Sequence, residues 1–473
     1  MRFLNSRFSI VLPACAAMAL LFVVSMGLTS NKEVEKANKK PNIIYLLTDD
    51  QRSDAMGAMG NPLIKTPNLD KLANNGLLFQ NAYVTTSICC VSRATMLSGQ
   101  YMSRHGINDF ATSFSKEAFA QTYPMLLKKE GYRVGFIGKF GVGHPKDQPA
   151  NLFDFWACTN KSQPDYEMKD ENGNYLHHTD KVNNDIQDFL QTADKEEPFC
   201  LSVSFKAPHV QDNDPRQFIF QPRYAPMYAA DSIAETEKMD PKYWNEFPDF
   251  FRTEENIARI RWHLRFENKT MYQESVRKYY RLISGVDEVV GKLRASLEEK
   301  GLADNTVIIF MGDNGFYLGE YGLAGKWFGH EESIRVPLIV YDPRNKAIQG
   351  KRPEEMVLNI DIAPTILKLA GVPAPATMQG TDLVNLVGKN GKKLRRSEFF
   401  YEHTFMGDPG LPKIEGVVQQ RYKYMTFVEH DYEQLFDLEK DPHEKKNVAK
   451  DPKYQTELAA MRKEYKTLKA SVK

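Results

Sequence analysis

The stretch Pro41-Asn-Ile-Ile-Tyr-Leu-Leu-Thr-Asp-Asp50 is a continuous apolar run that stops on two adjacent carboxylates. A run of this length without polar alternation predicts a strand buried on both faces, the habit of a parallel sheet covered by helices. Asp49 and Asp50 then stand at the carboxyl edge of that strand, where open α/β sheets bind ligands. An aspartate N-cap for the next segment is the simpler alternative. Working outward, Arg133-Val-Gly-Phe-Ile137, Phe199-Cys-Leu-Ser-Val-Ser-Phe205 and Thr306-Val-Ile-Ile-Phe-Met311 repeat the pattern and predict further buried strands. Helical segments alternate with them. Thr66 to Gly76 has a start signal, apolar spacing and a glycine stop; Tyr123 to Lys129 predicts a short helix. Tyr272 to Leu297 places Tyr280, Ile283, Val286, Val290 and Leu293 at helical spacing. The class is therefore α/β, a large mixed and mostly parallel sheet flanked by helices.

Thr306–Met311 delivers Gly312-Asp-Asn-Gly315, a turn that presents a carboxylate and an amide oxygen. Asp49, Asp50, Asp313 and Asn314 make four hard oxygen donors, suited to Ca²⁺ or Mg²⁺. No histidine cluster accompanies them to favour Zn²⁺. The chain is long enough for one large and one smaller domain. Asn359 to Gly371 is a capped helix ending in the linker Gly371-Val-Pro-Ala-Pro375. Strand-like runs at 399–403, 416–420 and 422–427 and a helix from Pro452 to Leu468 predict a C-terminal α+β unit over 373–473. Residues 40–372 form the larger domain.

With a net charge of +1, nothing argues for nucleic acid or an anionic membrane surface. At the N-terminus, Arg2 and Arg7 precede an apolar run from Ile10 to Leu28, then small residues, then a charged stretch. Residues 1–30 have the layout of a signal peptide, with an uncleaved membrane anchor as the alternative. The reading is export to the periplasm or exterior, with no stable membrane association after cleavage. The five cysteines are 15, 89, 90, 158 and 200, so only Cys158 and Cys200 are free to form a structural disulfide outside the leader and the motif described next.

Ser87-Ile-Cys-Cys-Val-Ser-Arg-Ala-Thr-Met-Leu-Ser-Gly99 places two cysteines before the first turns of a helix expected from Ser92. Helix N-termini favour anions and activated nucleophiles; a buried cysteine pair is the bland reading. The run resembles the type I sulfatase signature Cys-x-Pro/Ala-Ser-Arg. Spacing to Ser92 and Arg93 selects Cys89, and Val91 stands where the family has Pro or Ala. Further segments resemble the family in order: the Thr66–Gly76 helix; Gly138-Lys-Phe-Gly-Val-Gly143, with Gly141 in place of a histidine; Ala207-Pro-His209; Leu318 to Lys326; Glu331 to Pro337; and Gln434 to Glu444 with Asn447. A phosphate-cradling loop at Gly138 fails because Lys146 stands where the last glycine belongs.

The resemblance implies an alkaline-phosphatase-like sulfatase fold and hydrolysis of a sulfate ester by a formylglycine made from Cys89 by a maturase. It implies one Ca²⁺ held by Asp49, Asp50, Cys89, Asp313 and Asn314. Arg93, Lys139 and Lys326 would supply positive charge, and His209 or Lys326 the proton for the leaving alcohol. A phosphodiesterase of the same superfamily and a non-catalytic sulfated-glycan binder are the alternatives. The stretch 211–268 shows no periodicity and is expected to form substrate-facing loops. A sulfated carbohydrate is the expected substrate, with His177, His178 and His403 as candidate sugar contacts.

Overall fold

The computed structural model describes residues 39–384, 396–408 and 410–473. The signal segment, Cys15 and most of the basic stretch 389–396 lie outside the described residues. The expected apolar run forms β1 (Asn42–Asp49), buried along its whole length. It lies inside a seven-stranded sheet with β2 (Leu77–Leu78), β3 (Arg133–Gly138), β4 (Phe155–Cys158), β5 (Phe199–Pro208), β6 (Thr306–Gly312) and β7 (Leu338–Tyr341), in the order β2-β7-β6-β1-β5-β3-β4. From β6 to β4 the strands are parallel; β7 and β2 add antiparallel pairings at the other edge. In register, Tyr45 pairs with Ser202 on one side and Ile309 on the other.

Because successive side chains of a strand point to opposite faces, β1 feeds two cores. Ile43, Tyr45 and Leu47 join Ile309, Met311 and Val134 on one face, covered by α2 (Cys89–Ser98), α3 (Tyr123–Lys129) and α7 (Ile362–Leu369). Ile44 and Leu46 join Ile308, Phe310, Leu201 and Val203 on the other, covered by α1 (Pro67–Asn74), α4 (His178–Gln191) and α6 (Lys269–Glu299). Each such fully buried aliphatic side chain contributes about 1.5–3 kcal/mol relative to exposure, so the register of β1 is fixed from both sides. That pins Asp49 and Asp50 at the sheet edge.

The C-terminal strands β8 (Glu398–His403), β9 (Ile414–Gln419), β10 (Tyr422–Phe427) and β11 (Tyr432–Asp437) form an antiparallel meander. Helix α8 (Gln455–Ser471) packs Leu458 and Met461 against Val417, Tyr424 and Leu435. Two features depart from expectation, and one, the state of Cys158 and Cys200, is left open by the sequence. The stretch 211–268 is largely ordered and contains α5 (Ile257–Arg265) together with buried Phe218, Phe247 and Phe251. Cys158 and Cys200 are free thiols, on strands separated by β3. The 89–98 helix already begins at Cys89 rather than at Ser92. Among the described residues no helix is long and apolar enough to cross a membrane.

Candidate active site

The carboxyl ends of β1, β5 and β6, the N-terminus of α2 and the loop around Lys326 converge. Asp50 follows β1 with φ +65°, a left-handed conformation uncommon outside glycine. Two contacts hold it there. The Tyr279 hydroxyl donates to its carbonyl at 2.6 Å, and its own N–H donates to Asp313 Oδ1 at 3.0 Å. Asn314 Nδ2 donates to Asp50 Oδ1 at 2.7 Å and to the Gly315 carbonyl at 2.8 Å, which fixes the amide with its oxygen pointing away from both.

Three buried oxygens are left over: Asp49 Oδ1, Asp50 Oδ2 and Asn314 Oδ1 have no hydrogen-bond partner among the described residues. Leaving polar atoms in that state is costly unless something else binds them. All three are hard donors, and the set fits a divalent cation of the Ca²⁺ or Mg²⁺ kind. His209 joins this group, with a ring nitrogen close enough to both aspartates to share an ion. Its Nδ1 lies 2.7 Å from the Val210 carbonyl, so that nitrogen carries the proton; Nε2 accepts from Gln163 Nε2 at 3.0 Å. Burial pushes the imidazole down to about 4, against the pull of Asp50 and Asp49, so the ring is neutral at pH 7.

Lys139 Nζ lies 2.5 Å from Asp49 Oδ2, and Lys326 pairs with Asp50 Oδ1. Arg93 contacts Asp313 Oδ2 at 2.8 Å and Asp49 Oδ2 at 3.6 Å. All six side chains are at most 4% exposed. Burial works against both lysine charges, but Asp49 beside Lys139 and Asp50 beside Lys326 outweigh it and hold the ammoniums above their ordinary range. Arg93 has a structural task as well. Its Nη1 donates to the Lys139 carbonyl at 2.8 Å and to Ser204, and its Nε to Asp313 at 3.0 Å, tying α2 to the ends of three strands. It does not line the cavity in front of Cys89.

That cavity, of about 320 Å³, is lined by Cys89, Lys139, Gly141, His209 and Lys326 at its inner end. Cys90 is fully buried in the core behind it. Burial pushes the Cys89 thiol above its ordinary range, although Lys139 and Lys326 pull the other way; an unmodified thiol here is a weak nucleophile. Gly141 has φ +71°, and a Cβ on it would meet Arg93 Cδ at 3.0 Å and Lys139 Cε at 3.2 Å. His144 caps a surface turn instead, accepting from the Lys146 N–H.

The family question is settled by sequence: the sulfatase family model matches residues 41–372. The chain belongs to the sulfatase family. It is a sulfuric ester hydrolase. A second model, the N-sulphoglucosamine sulphohydrolase C-terminal domain, matches residues 319–471. This sulfatase is 28% identical to an N-acetylglucosamine-6-O-sulfatase of Bacteroides thetaiotaomicron, over 94% of this chain and 89% of the relative. It is 29% identical to an arylsulfatase of Clostridium perfringens, over 90% and 93%. A solved structure of a protein in complex with its substrate D-glucosamine-2-N,6-O-disulfate superposes with a TM-score of 0.77 at 27% identity, covering 92% of this chain and 98% of the other. A phosphonate monoester hydrolase of Agrobacterium radiobacter shares the fold, with a TM-score of 0.77 at 21% identity and coverage of 92% and 96%.

Of the expected residues, Asp49, Asp50, Cys89, Lys139, His209, Asp313, Asn314 and Lys326 meet at this one place, with Arg93 directly behind. The expected sugar contacts do not. His177 accepts the Thr179 N–H, contacts the Ile219 carbonyl at 2.9 Å and stacks on Tyr166. His178 and His403 are 4% and 1% exposed, and none of the three lines the cavity. The outer wall comes from residues that no motif flagged: Gln163, Asp212, Arg261, Trp327, Phe405 and Leu411. Two of these lie in the 211–268 stretch, for which a substrate-facing role was expected. Tyr401 of β8 lies 2.6 Å from the Ser87 hydroxyl and donates to the Trp327 carbonyl at 2.7 Å, so the C-terminal sheet braces both flanks of the site.

Proposed function

We propose that this sulfatase is exported and hydrolyses a sulfate ester on a saccharide, with formylglycine at position 89 and one Ca²⁺. The observation that carries the reading is the set of unpartnered buried oxygens of Asp49, Asp50 and Asn314, in a site whose cavity exposes Cys89 between two lysines. Asp313 and the oxygen at position 89 would complete the ligand shell. The cation supplies fixed positive charge for the sulfate oxygens and orients the ester, and the hydrated aldehyde at position 89 supplies the nucleophilic oxygen. Cys89 faces the cavity and Cys90 does not, which supports Cys89 as the maturase target.

The remaining work falls to the chain itself. Lys139 and Lys326 line the cavity with preorganised positive charge, where negative charge accumulates on the transferring group. Arg93 holds Asp313 and Asp49 in place. His209 lines the same wall with Nε2 unprotonated at rest, so it acts as donor to the leaving oxygen only after taking up a proton there, and the Lys326 ammonium is the other proton source. A saccharide is the proposed substrate because the relatives include proteins named for sulfated glucosamine and the outer cavity wall carries both polar and aromatic side chains. The N-terminal run of 1–30 supports export.

The test combines three measurements on protein co-expressed with a maturase. Peptide mass spectrometry should find the aldehyde at 89 and a thiol at 90. Chelation should abolish turnover of a panel of defined sulfated saccharides, and Ca²⁺ should restore it. Fully active protein with an unmodified Cys89, or activity indifferent to chelation, would overturn the assignment.

A further inference from the structure

The outer half of the Cys89 cavity contains an arrangement that the sulfate chemistry does not use. Arg261, on α5, and Asp212, just after β5, both line it. Arg261 Nη2 is 3.6 Å from Asp212 Oδ1, and the two side chains are 24% and 37% exposed. Among the described residues neither side chain makes a hydrogen bond, so beyond this one long ion pair the five donors of the guanidinium and the two oxygens of the carboxylate are open to solvent or to a ligand. Arg261 is not loose, however. Its guanidinium carbon lies 5.1 Å from the centroid of the Trp327 ring, a cation–π contact that restrains it. Trp327 is itself buried, its backbone N–H donating to the Ser87 carbonyl at 3.3 Å and its carbonyl accepting from Tyr401. A donor fork and an acceptor thus stand side by side, with hydrogen-bonding capacity to spare, on the wall of the cavity that Cys89 lines. Phe110, Phe405 and Leu411 add apolar surface to the same cavity.

We infer that Asp212 and Arg261 are the specificity pair of this enzyme, reading two neighbouring hydroxyls of the sulfated sugar ring. One hydroxyl donates to the Asp212 carboxylate while its neighbour accepts from Arg261, and the apolar side chains take the less polar face of the ring. Adjacent hydroxyls carry both a donor and an acceptor at close spacing, which matches a carboxylate and a guanidinium held next to each other. A flat aryl leaving group offers neither. This inference rests on the saccharide reading above and names the residues that enforce it. A purely structural role, in which the pair only ties α5 to the loop after β5, predicts a different pattern of losses.

The test uses Asp212→Asn and Arg261→Lys, which keep size while removing the charge of one partner and the planar fork of the other. The substrates are the best sulfated monosaccharide of the panel, its two deoxy analogues lacking one hydroxyl beside the other, and 4-nitrophenyl sulfate. A hydrogen bond to a charged group corresponds to a loss of about 10–100-fold when broken. Each variant should therefore lower the ratio of kcat/KM for the sugar sulfate to kcat/KM for the aryl sulfate by about 10–100-fold. The deoxy analogue matching the altered residue should lose nothing further in that variant. Ratios within about threefold of the parent, or equal losses on both substrates, would overturn the inference while leaving the saccharide reading intact. A parent enzyme that turns over the aryl sulfate and no saccharide would overturn the saccharide reading, and this inference with it.

Discussion

Lys139→Met separates charge from packing in the site, because methionine preserves most of the apolar stem while deleting the ammonium. Lys139 and Asp49 are 2% and 0% exposed, so the variant leaves a buried carboxylate short of its nearest counter-charge. Removing one partner of a buried pair typically costs about 3–5 kcal/mol. Arg93 still stands 3.6 Å from Asp49, which places the expected loss near 3 kcal/mol. At roughly 2.1 cal/mol/K per residue of unfolding entropy, the compact unit Asn42–Lys473 would have an unfolding entropy of about 0.9 kcal/mol/K. The chelated variant should then melt about 3 °C below the chelated parent. Saturating Ca²⁺ should narrow that gap, since a cation beside Asp49 replaces the missing charge and binding to the folded state alone raises stability. Turnover should fall by about 10²–10³-fold even when the metal is bound, because the lost ammonium faced the cavity. Scanning calorimetry with and without chelator, paired with turnover, decides it. A chelated variant that melts within about 1 °C of the parent, or a Ca²⁺-induced rise equal in both proteins, would refute the reasoning.

Two further outcomes are expected. His209→Ala should lose about 10²–10⁴-fold on a sugar sulfate, the usual worth of general acid catalysis, and far less on an aryl sulfate whose acidic phenol leaves unaided; equal losses on both would assign His209 to binding or positioning and leave the proton to Lys326. Glu402 is raised to about 7 by burial, with Glu415 adding to it, so its ionisation destabilises the folded state as pH rises from its unfolded value near 4.3 through 7. Glu402→Gln, which keeps an acceptor for the Ser103 N–H, should gain about 2–3 kcal/mol on the parent between pH 5 and pH 8; a difference that does not change with pH would show that the side chain stays neutral throughout.

What sequence could disclose follows from how each part of the site is built. The catalytic end was legible because its residues sit in short contiguous segments at the ends of strands buried on both faces, and such strands announce themselves as unbroken apolar runs. β1 carries Asp49 and Asp50 out of the core in a single step, and β6 does the same for Asp313 and Asn314. The outer wall was hidden because α5 inverts the usual pattern. It exposes Ile260 and Leu264, at 40% and 55%, while burying Ala258 and Arg265. A search for apolar periodicity therefore finds its stripe on the wrong face. Arg265 is a 2% exposed guanidinium on the buried side, donating to Gln217 at 2.8 Å, and no rule of composition expects it there. The misplaced histidines fail for a related reason: an imidazole is equally suited to a sugar contact and to satisfying backbone groups in a core, and only packing chooses. His177 spends one ring nitrogen on the Thr179 N–H and has the Ile219 carbonyl at the other, leaving nothing for a ligand. The same accounting points the opposite way for Asp212 and Arg261. Among the described residues neither makes a hydrogen bond, on the wall of the cavity that Cys89 lines, and that surplus, invisible in any motif, is the basis on which we assign them to the substrate.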